Sequence, residues 1–139
     1  SCAKGKNSRE WIYVDDQCED LIKLFFKGKS GEKYNIGSGI NCTNNYLIKK
    51  ILKTFSSKNI MIRKKIKIGK KVRIIFVKDR PGHDFRYALN SNKIKKKLKW
   101  KPKINLNQGI SKTIDWYMEN QNYFSSISKK LFSKRLGKK

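Results

Sequence analysis

The chain has 139 residues, and its 35 Lys and Arg side chains against 10 Asp and Glu give a formal net charge of +25 at pH 7. This length corresponds to one domain or part of one. No apolar run approaches the roughly 18 residues of a membrane-spanning helix, and no charged segment followed by an apolar stretch predicts a secretory signal. Because the sequence starts at Ser1 without a Met, we expect a fragment.

The positive charge has two interpretations. Arg contributes only six of the 35 cations, whereas Lys, Ile and Asn together make up 58 of the 139 residues. Nucleic-acid-binding proteins usually rely on Arg, whose planar fork matches phosphates and guanine edges. We therefore favour a coding bias toward A and T at tolerant surface positions over a selected polyanion-binding surface. The field attracts polyanions non-specifically in either case.

Cysteine and histidine are sparse. Cys2, Cys18 and Cys42 are odd in number and form no CxxC pair, and His83 is the only histidine. The sequence therefore predicts neither a disulfide framework nor a metal site, and it favours the reducing cytoplasm.

Patterning in the first half predicts alternating strands and helices. Branched and aromatic residues indicate strands, and apolar residues spaced by three and four indicate helices. A Gly-Ser-Gly turn at residues 37–39 follows the second strand and is expected to let a ligand approach the backbone. The predicted elements are a strand at 11–14, a helix at 16–27 with Gly28 at C′, a strand at 34–36, and a second helix capped by Thr43 or Asn44.

The second half is more irregular. Residues 125–139 form a basic, Ser-rich tail for which we expect either an amphipathic helix or packing on its own domain. The predicted elements are an alternating apolar and basic stretch at 60–78 with a strand at 74–77, a polar turn at 79–84, a strand at 87–89, a helix capped by Asn90 or Ser91 with Ile94 and Leu98 on its apolar face, and a last helix at about 107–123.

Three of these connections carry groups that bind anions. Arg9 precedes a strand, Asn44 lies behind the glycine turn, and Arg80 with His83 lies in a Pro-Gly loop, so each offers a donor for one diphosphate. Sequence spacing alone leaves their convergence open. The competing interpretations are a solvated cation for Arg9, plain helix capping for Asn44, and an Asp-Arg pair that only fixes the turn at 79–84.

Five strings in order carry a family resemblance: REWIYVDD at 9–16, GEKYNIG at 31–37, VKDRPGHDFRYA at 77–88, LKWKP at 98–102 and GISKTIDWY at 109–117. Over about residues 5–122 the chain resembles the C-terminal part of the dTDP-glucose 4,6-dehydratases, which are extended short-chain dehydrogenase/reductases. The resemblance implies a mixed α/β fold with short strands and about four helices. It also implies a nucleotide-sugar-binding domain at residues 1–124, incomplete in this chain, followed by the basic tail.

In that family an N-terminal Rossmann domain holds NAD. The sugar is oxidised at C4, water is eliminated across C5 and C6, and the hydride returns to C6. The catalytic residues would lie upstream of Ser1, so the resemblance implies no catalytic residue in this chain and no turnover by the chain alone. It implies a dTDP-sugar substrate and the Rossmann domain as partners, and it allows a homodimer of the full-length enzyme.

The resemblance also implies roles for individual residues. Arg9 is similar to the arginine that contacts the nucleotide diphosphate, and Asn44 to the asparagine that opens the helix after the glycine turn. The DRPGHD loop is similar to the one that closes on the diphosphate, with Arg80 as phosphate clamp and His83 as donor. The predicted substrate-binding residues are Arg9, Asn44, Asp79, Arg80, Pro81, Gly82 and His83. Glu10 departs from the family, where Asp usually follows the arginine.

Three alternatives stay open alongside this hypothesis. A UDP- or GDP-sugar epimerase or dehydratase of the same superfamily would share the fold. A basic module that binds RNA or DNA through its lysines would bind any polyanion with a steep salt dependence. A poorly folding remnant would instead expose an apolar face.

Overall fold

A computed structural model describes residues 5–62, 74, 76 and 82–125. The predicted mixed α/β fold is confirmed. Within these ranges no helix is long and apolar enough to cross a membrane. The elements are β1 (Ser8–Glu10), α1 (Val14–Lys27), β2 (Asn41–Thr43), α2 (Asn44–Ile62), β3 (Arg86–Tyr87), α3 (Asn92–Leu98), α4 (Leu106–Glu119) and α5 (Asn122–Ser125).

The three strands form one small sheet with β1 in the middle. The order is β2-β1-β3, with β1 antiparallel to β2 and parallel to β3. Arg9 lies opposite Cys42 on one side and Tyr87 on the other. The sheet therefore brings two distant segments of the chain to either side of Arg9.

The strand predicted at residues 11–14 is wrong, because the strand ends earlier, at Glu10. The Trp11 N–H still donates to the Ile40 carbonyl at 2.9 Å, but pairing stops there. Tyr13 keeps an extended backbone and α1 begins at Val14. The β-prone side chains before α1 are thus consistent with an extended backbone, but this segment pairs with no strand in the described part of the chain.

The other strand predictions met mixed outcomes. Residues 34–36 form no strand, and residues 60–62 belong to α2. Strand β3 begins one residue before the predicted strand at 87–89 and overlaps it at Tyr87. Ile74 and Phe76 are exposed and belong to no strand, while the other residues between 63 and 81 lie outside the described part of the chain. The small sheet instead contains a polar strand, β2, which could not be predicted from a pattern of apolar residues.

Side-chain oxygens accept early backbone N–H groups of α2 and α3. The Thr43 hydroxyl accepts the N–H of Tyr46 at 3.2 Å, which selects Thr43 over Asn44 as the cap of α2. At α3, Ser91 occupies the N-cap position without a side-chain capping bond, and the side chain of the preceding Asn90 accepts the N–H of Asn92 at 3.0 Å. Both bonds satisfy backbone donors that a helix start leaves unpaired.

The last predicted helix is divided in two. Asn105 and Gln108 form a reciprocal capping box that starts α4, and the helix ends at Glu119 before the short α5. Gly28 ends α1 with φ −71° rather than the left-handed conformation expected of a C′ glycine. The basic tail from residue 126 lies outside the described ranges.

The hydrophobic core is small. Ile94, Leu98 and Trp100 form its buried centre, and half-buried residues from the first half of the chain pack against it. Ile110 and Ile114 on α4 are buried as predicted. Because so little apolar surface is covered, each buried polar contact between elements has a large share in fixing their positions.

Helix α1 turns two of its acids, Asp16 and Asp20, toward the domain and several large apolar residues toward solvent. Asp16 is 2% exposed, and its carboxylate accepts the backbone N–H groups of Lys103 at 3.1 Å and Ile104 at 2.9 Å. Asp16 therefore joins α1 to the segment before α4. The apolar residues whose spacing predicted α1 include the exposed Leu21 and Phe25.

The buried carboxyl of Asp20 should make stability depend on pH in a defined direction. Asp20 is completely buried, and neither carboxylate oxygen has a hydrogen-bond partner in the described part of the chain. Burial raises the pKa of Asp20 to about 6 from 3.8, with Lys23 lowering it and Glu19 raising it. The neutral carboxyl therefore stabilises the fold fully below about pH 4, and this contribution is lost as the pH rises through about 6.

Asp20→Asn removes the charge that folding otherwise has to bury. At pH 7.5 we expect it to raise the free energy of unfolding by about 3 kcal/mol, and at pH 4 to change it little. Urea unfolding at the two pH values measures the difference. The control is Asp15→Asn, which changes an exposed acid of the same helix, and an equal gain from Asp20→Asn at both pH values would contradict the assignment.

Candidate functional site

Arg9 and His83 are in direct contact. The Arg9 Nη2 group donates to Nε2 of His83 at 2.7 Å and to the Asp84 carbonyl at 2.7 Å, and Nη1 donates to the Ser8 carbonyl at 2.7 Å. Because a guanidinium only donates, Nε2 of His83 is the acceptor, and in the neutral ring the proton lies on Nδ1. Two predicted site residues, 74 positions apart, are thus joined at β1.

The charge of Arg9 has no acidic counterpart among the described residues. No carboxylate in the described ranges lies within ion-pair distance of this half-buried guanidinium. Its contacts use three of the five N–H donors of an arginine, leaving Nε–H and one N–H of Nη1. The two remaining N–H groups point in different directions, so each can donate to a separate phosphate oxygen of a bound anion.

Asn7 connects Asn44 to the same end of the sheet. The backbone N–H of Asn44 donates to the Asn7 carbonyl at 3.0 Å, and the Asn7 side chain donates to the Asp84 carbonyl at 3.2 Å. Asn7 is only 4% exposed. Sequence analysis missed Asn7, because its partners are backbone groups far along the chain.

The DRPGHD loop is described only from Gly82 onward. Gly82 has φ +67°, the left-handed conformation that a type II turn requires of its third residue. Of the seven predicted substrate-binding residues, the structure brings Arg9, Asn44, Gly82 and His83 to one end of the sheet. Asp79, Arg80 and Pro81 lie outside the described residues, so their roles stay predictions.

Glu10 holds the loops on the other side of β1. Its Oε1 accepts the N–H of Gly39 at 2.6 Å, and its Oε2 accepts the N–H of Leu89 at 2.7 Å. A Cβ at the buried Gly37 would overlap Oε1 of Glu10. Side chains of successive strand residues point to opposite faces, so Glu10 fixes the backbone behind Arg9 while leaving the guanidinium free to bind an anion.

The glycine turn at residues 37–39 is not open to a ligand as expected. The Gly39 N–H is bound by Glu10, the Ser38 hydroxyl donates to the Trp11 carbonyl at 2.6 Å, and the same oxygen accepts the Ile40 N–H at 2.8 Å. A dinucleotide turn must leave its N–H groups free for a pyrophosphate. This turn therefore does not fit NAD.

An apolar cavity of about 270 Å³ lies apart from these residues. Trp11, Leu47, Gly109 and Ile114 are among its lining residues, and none of the predicted site residues borders it. Across the described ranges, no group of three His, Cys, Asp or Glu side chains is placed to hold a metal ion. The polar donors at the end of the sheet are thus the better candidate site for a charged ligand.

Comparison with known proteins gives the family. The family model described as GDP-mannose 4,6 dehydratase matches residues 2–113. The chain belongs to this family. A probable dTDP-glucose 4,6-dehydratase of Sinorhizobium fredii is 38% identical over 136 residues, which cover 96% of this chain and 37% of the relative.

Solved structures agree with this placement. The dTDP-glucose 4,6-dehydratase of Streptomyces venezuelae, solved with NAD and TYD bound, has a TM-score of 0.70 at 32% identity, covering 86% of this chain and 33% of that one. A UDP-glucose 4-epimerase of Thermotoga maritima, solved with UDP-glucose, has a TM-score of 0.68 at 27% identity, covering 87% and 35%. The chain thus spans about a third of the length of the relatives it matches.

Glu10→Gln tests the link between the loops. An amide offers one acceptor oxygen, so it cannot accept both N–H groups that the carboxylate binds. We expect a loss of about 1 to 3 kcal/mol in the free energy of unfolding, measured by urea denaturation. Glu19→Gln, which removes only a surface pair with Lys103, is the matched control, and equal losses would refute the role of Glu10.

Proposed function

We propose that this chain is the nucleotide-sugar-binding part of an NAD-dependent dTDP-glucose 4,6-dehydratase, a lyase that forms dTDP-4-keto-6-deoxyglucose and water. The binding domain is residues 1–124, followed by a basic tail at 125–139, and the protein acts in the cytoplasm. The S. fredii and S. venezuelae relatives support this assignment. Because the chain spans a third of their length, its own part is to bind and orient the substrate.

The observation that carries the proposal is the Arg9–His83 contact at 2.7 Å beside the carbonyl of Asp84. The guanidinium keeps two N–H donors for the diphosphate, while His83 and Asp84 hold the plane of the group. Arg80 is assigned the second cation on the same diphosphate, and Asp79 and Pro81 shape its loop. Binding the diphosphate at fixed points orients the sugar relative to the reacting centre.

NAD has no site among the described residues, since the one candidate turn is filled by Glu10. We assign the cofactor and the catalytic residues to an upstream Rossmann domain of the kind that the family resemblance implies, with which this chain acts in one enzyme. The homodimer of the full-length enzyme is likewise an expectation from that resemblance. NAD supplies the hydride transfer when bound there, and this chain alone is inactive.

A nucleotide panel tests the function on this chain. We expect isothermal titration calorimetry to detect dTDP binding, with UDP and GDP at least about tenfold weaker, which is about 1.4 kcal/mol. Tighter binding of UDP would favour an epimerase-type substrate, as in the T. maritima neighbour. Equal binding of heparin and all nucleotides, with a steep salt slope, would favour the polyanion-binding alternative.

Variants test the named residues. Arg9→Lys keeps the charge but loses the fork, and we expect it to weaken dTDP binding about tenfold or more; Arg80→Ala should cost about 2 kcal/mol or more if that side chain clamps a phosphate. The control is Lys96→Ala on the exposed surface of α3. If Lys96→Ala weakens binding as much as either arginine substitution, general charge attraction explains the affinity.

A further inference from the structure

Asn7 lies at the point where the pairing of β1 with β3 ends. The ladder between these strands includes Ser8, whose N–H donates to the Phe85 carbonyl at 2.8 Å. The carbonyl of Asp84 lies one residue before this bond. It is bound by two side chains, by Nδ2 of Asn7 at 3.2 Å and by Nη2 of Arg9 at 2.7 Å. The Asp84 oxygen is therefore an acceptor that Asn7 and Arg9 share.

The shared acceptor fixes the direction of the Arg9 guanidinium. A carbonyl oxygen has two lone pairs, so it can accept from both side chains. Asp84 is exposed, and water therefore competes for its carbonyl. The buried amide of Asn7 holds this oxygen where Nη2 of Arg9 reaches both the oxygen and the ring of His83. Because a guanidinium is planar, fixing Nη2 also fixes the directions of its remaining N–H groups.

The backbone around Asn7 is fixed by the start of α2. Its carbonyl accepts the N–H of Asn44, the first residue of that helix, at 3.0 Å. Two residues before Asn7, the buried Gly5 has φ +62° and passes so close to Asn45 that a Cβ would overlap its side-chain oxygen. One buried residue thus connects the first turn of α2, the central strand and the carbonyl of Asp84.

We propose that Asn7 is a positioning residue for diphosphate binding, which acts through the Asp84 carbonyl to hold the Arg9 guanidinium in its binding orientation before the ligand arrives. Asn7 is 4% exposed, so it acts through Arg9 rather than on the nucleotide. Ordering a long side chain in advance removes an entropy cost from the binding step. The inference rests on the proposed function for the identity of the ligand, whereas the ordering of Arg9 is a property of the free chain.

NMR of the arginine side chains tests the ordering without a change at Asn7. The chain has six arginines, and Arg9→Lys identifies the signal of Arg9 by its disappearance. In the ligand-free chain we expect the Nε–H of Arg9 to exchange with water at least about tenfold more slowly than that of the exposed Arg86. An Arg9 guanidinium as mobile as that of Arg86 would overturn the proposal, whether or not any variant folds.

Removal of the amide tests the positioning role. Asn7→Ala leaves the Asp84 carbonyl to water, so we expect it to speed exchange at the Arg9 Nε–H and to weaken dTDP binding about tenfold in calorimetry of the folded variant. The matched control is Asn35→Ala, which removes an amide that donates to the Asn90 carbonyl at 3.4 Å, away from the predicted site residues, and should change neither. Weaker binding with an unchanged Arg9 signal would mean a general structural effect and would contradict the role of Asn7.

The isosteric variant Asn7→Asp gives a second test. Its carboxylate cannot donate to the Asp84 carbonyl, and it lies beside Arg9 because both side chains bind the same oxygen. It therefore offers Arg9 an acidic partner that competes with the phosphates. We expect dTDP binding to weaken at least about 30-fold, more than in Asn7→Ala, although Asp keeps the shape of Asn. A smaller loss in Asn7→Asp than in Asn7→Ala would indicate that packing, not positioning, explains the effect.

Pyrophosphate, which has the two phosphates without a nucleoside, separates this proposal from the proposed function. If Asn7→Ala weakens pyrophosphate binding about tenfold while dTDP binds no better than UDP or GDP, the role of Asn7 stands and the proposed function is wrong. If dTDP binds selectively and Asn7→Ala changes the affinity of neither ligand, the function stands and the role of Asn7 is wrong. A wild-type chain that binds neither ligand would refute both.

Discussion

The carboxylate of Glu10 is the link on which the rest of the candidate site depends. Its two oxygens bind backbone N–H groups of Gly39 and Leu89, 29 and 79 residues further along the chain. Charge-assisted hydrogen bonds of this type are about twice as strong as neutral ones. Arg9 precedes Glu10 in the same strand. The Glu10 hydrogen bonds that hold the loops on one face of the sheet therefore also fix the backbone from which the Arg9 guanidinium extends on the opposite face.

The electrostatics of Arg9 differ from those of the abundant lysines. Most lysines in the described ranges are exposed, and their attraction for anions is screened over about 10 Å. Arg9 is half-buried, bound to the neutral acceptors of His83 and Asp84, and without a carboxylate partner in the described ranges. If Arg9 binds the diphosphate as proposed, this desolvation rather than the net charge would give the site its selectivity for a phosphate group.

The sequence predicted helices better than strands for a physical reason. Helices α1 and α2 follow from local spacing and caps, and they begin within two residues of the predicted positions. A strand needs a partner, so residues 11–14 and 34–36 have strand-forming side chains without strand pairing, whereas the polar β1 pairs on both sides. For the site, motif resemblance selected Arg9 and His83, but their contact depends on the sheet register.

The residues that sequence analysis did not assign a role act on backbone groups. Asn7 and Glu10 bind carbonyl and N–H groups that every residue possesses. Because any residue type can provide the backbone partner, the sequence contains no pattern from which these bonds could be predicted. The burial of Asp16 and Asp20 was not predicted either, because charged residues at these positions of a helix normally face the solvent, whereas both face the domain.

The parallel pairing of β1 with β3 has a consequence for how the protein is made. Arg9 lies opposite Tyr87, so the second edge of β1 can be paired only after residues nearly 80 positions downstream have been synthesised. Contacts of such long sequence separation form late and slow folding. During synthesis the first helix and the antiparallel pair with β2 are available early, and the end of the sheet that carries Arg9 is completed only after most of the chain has left the ribosome.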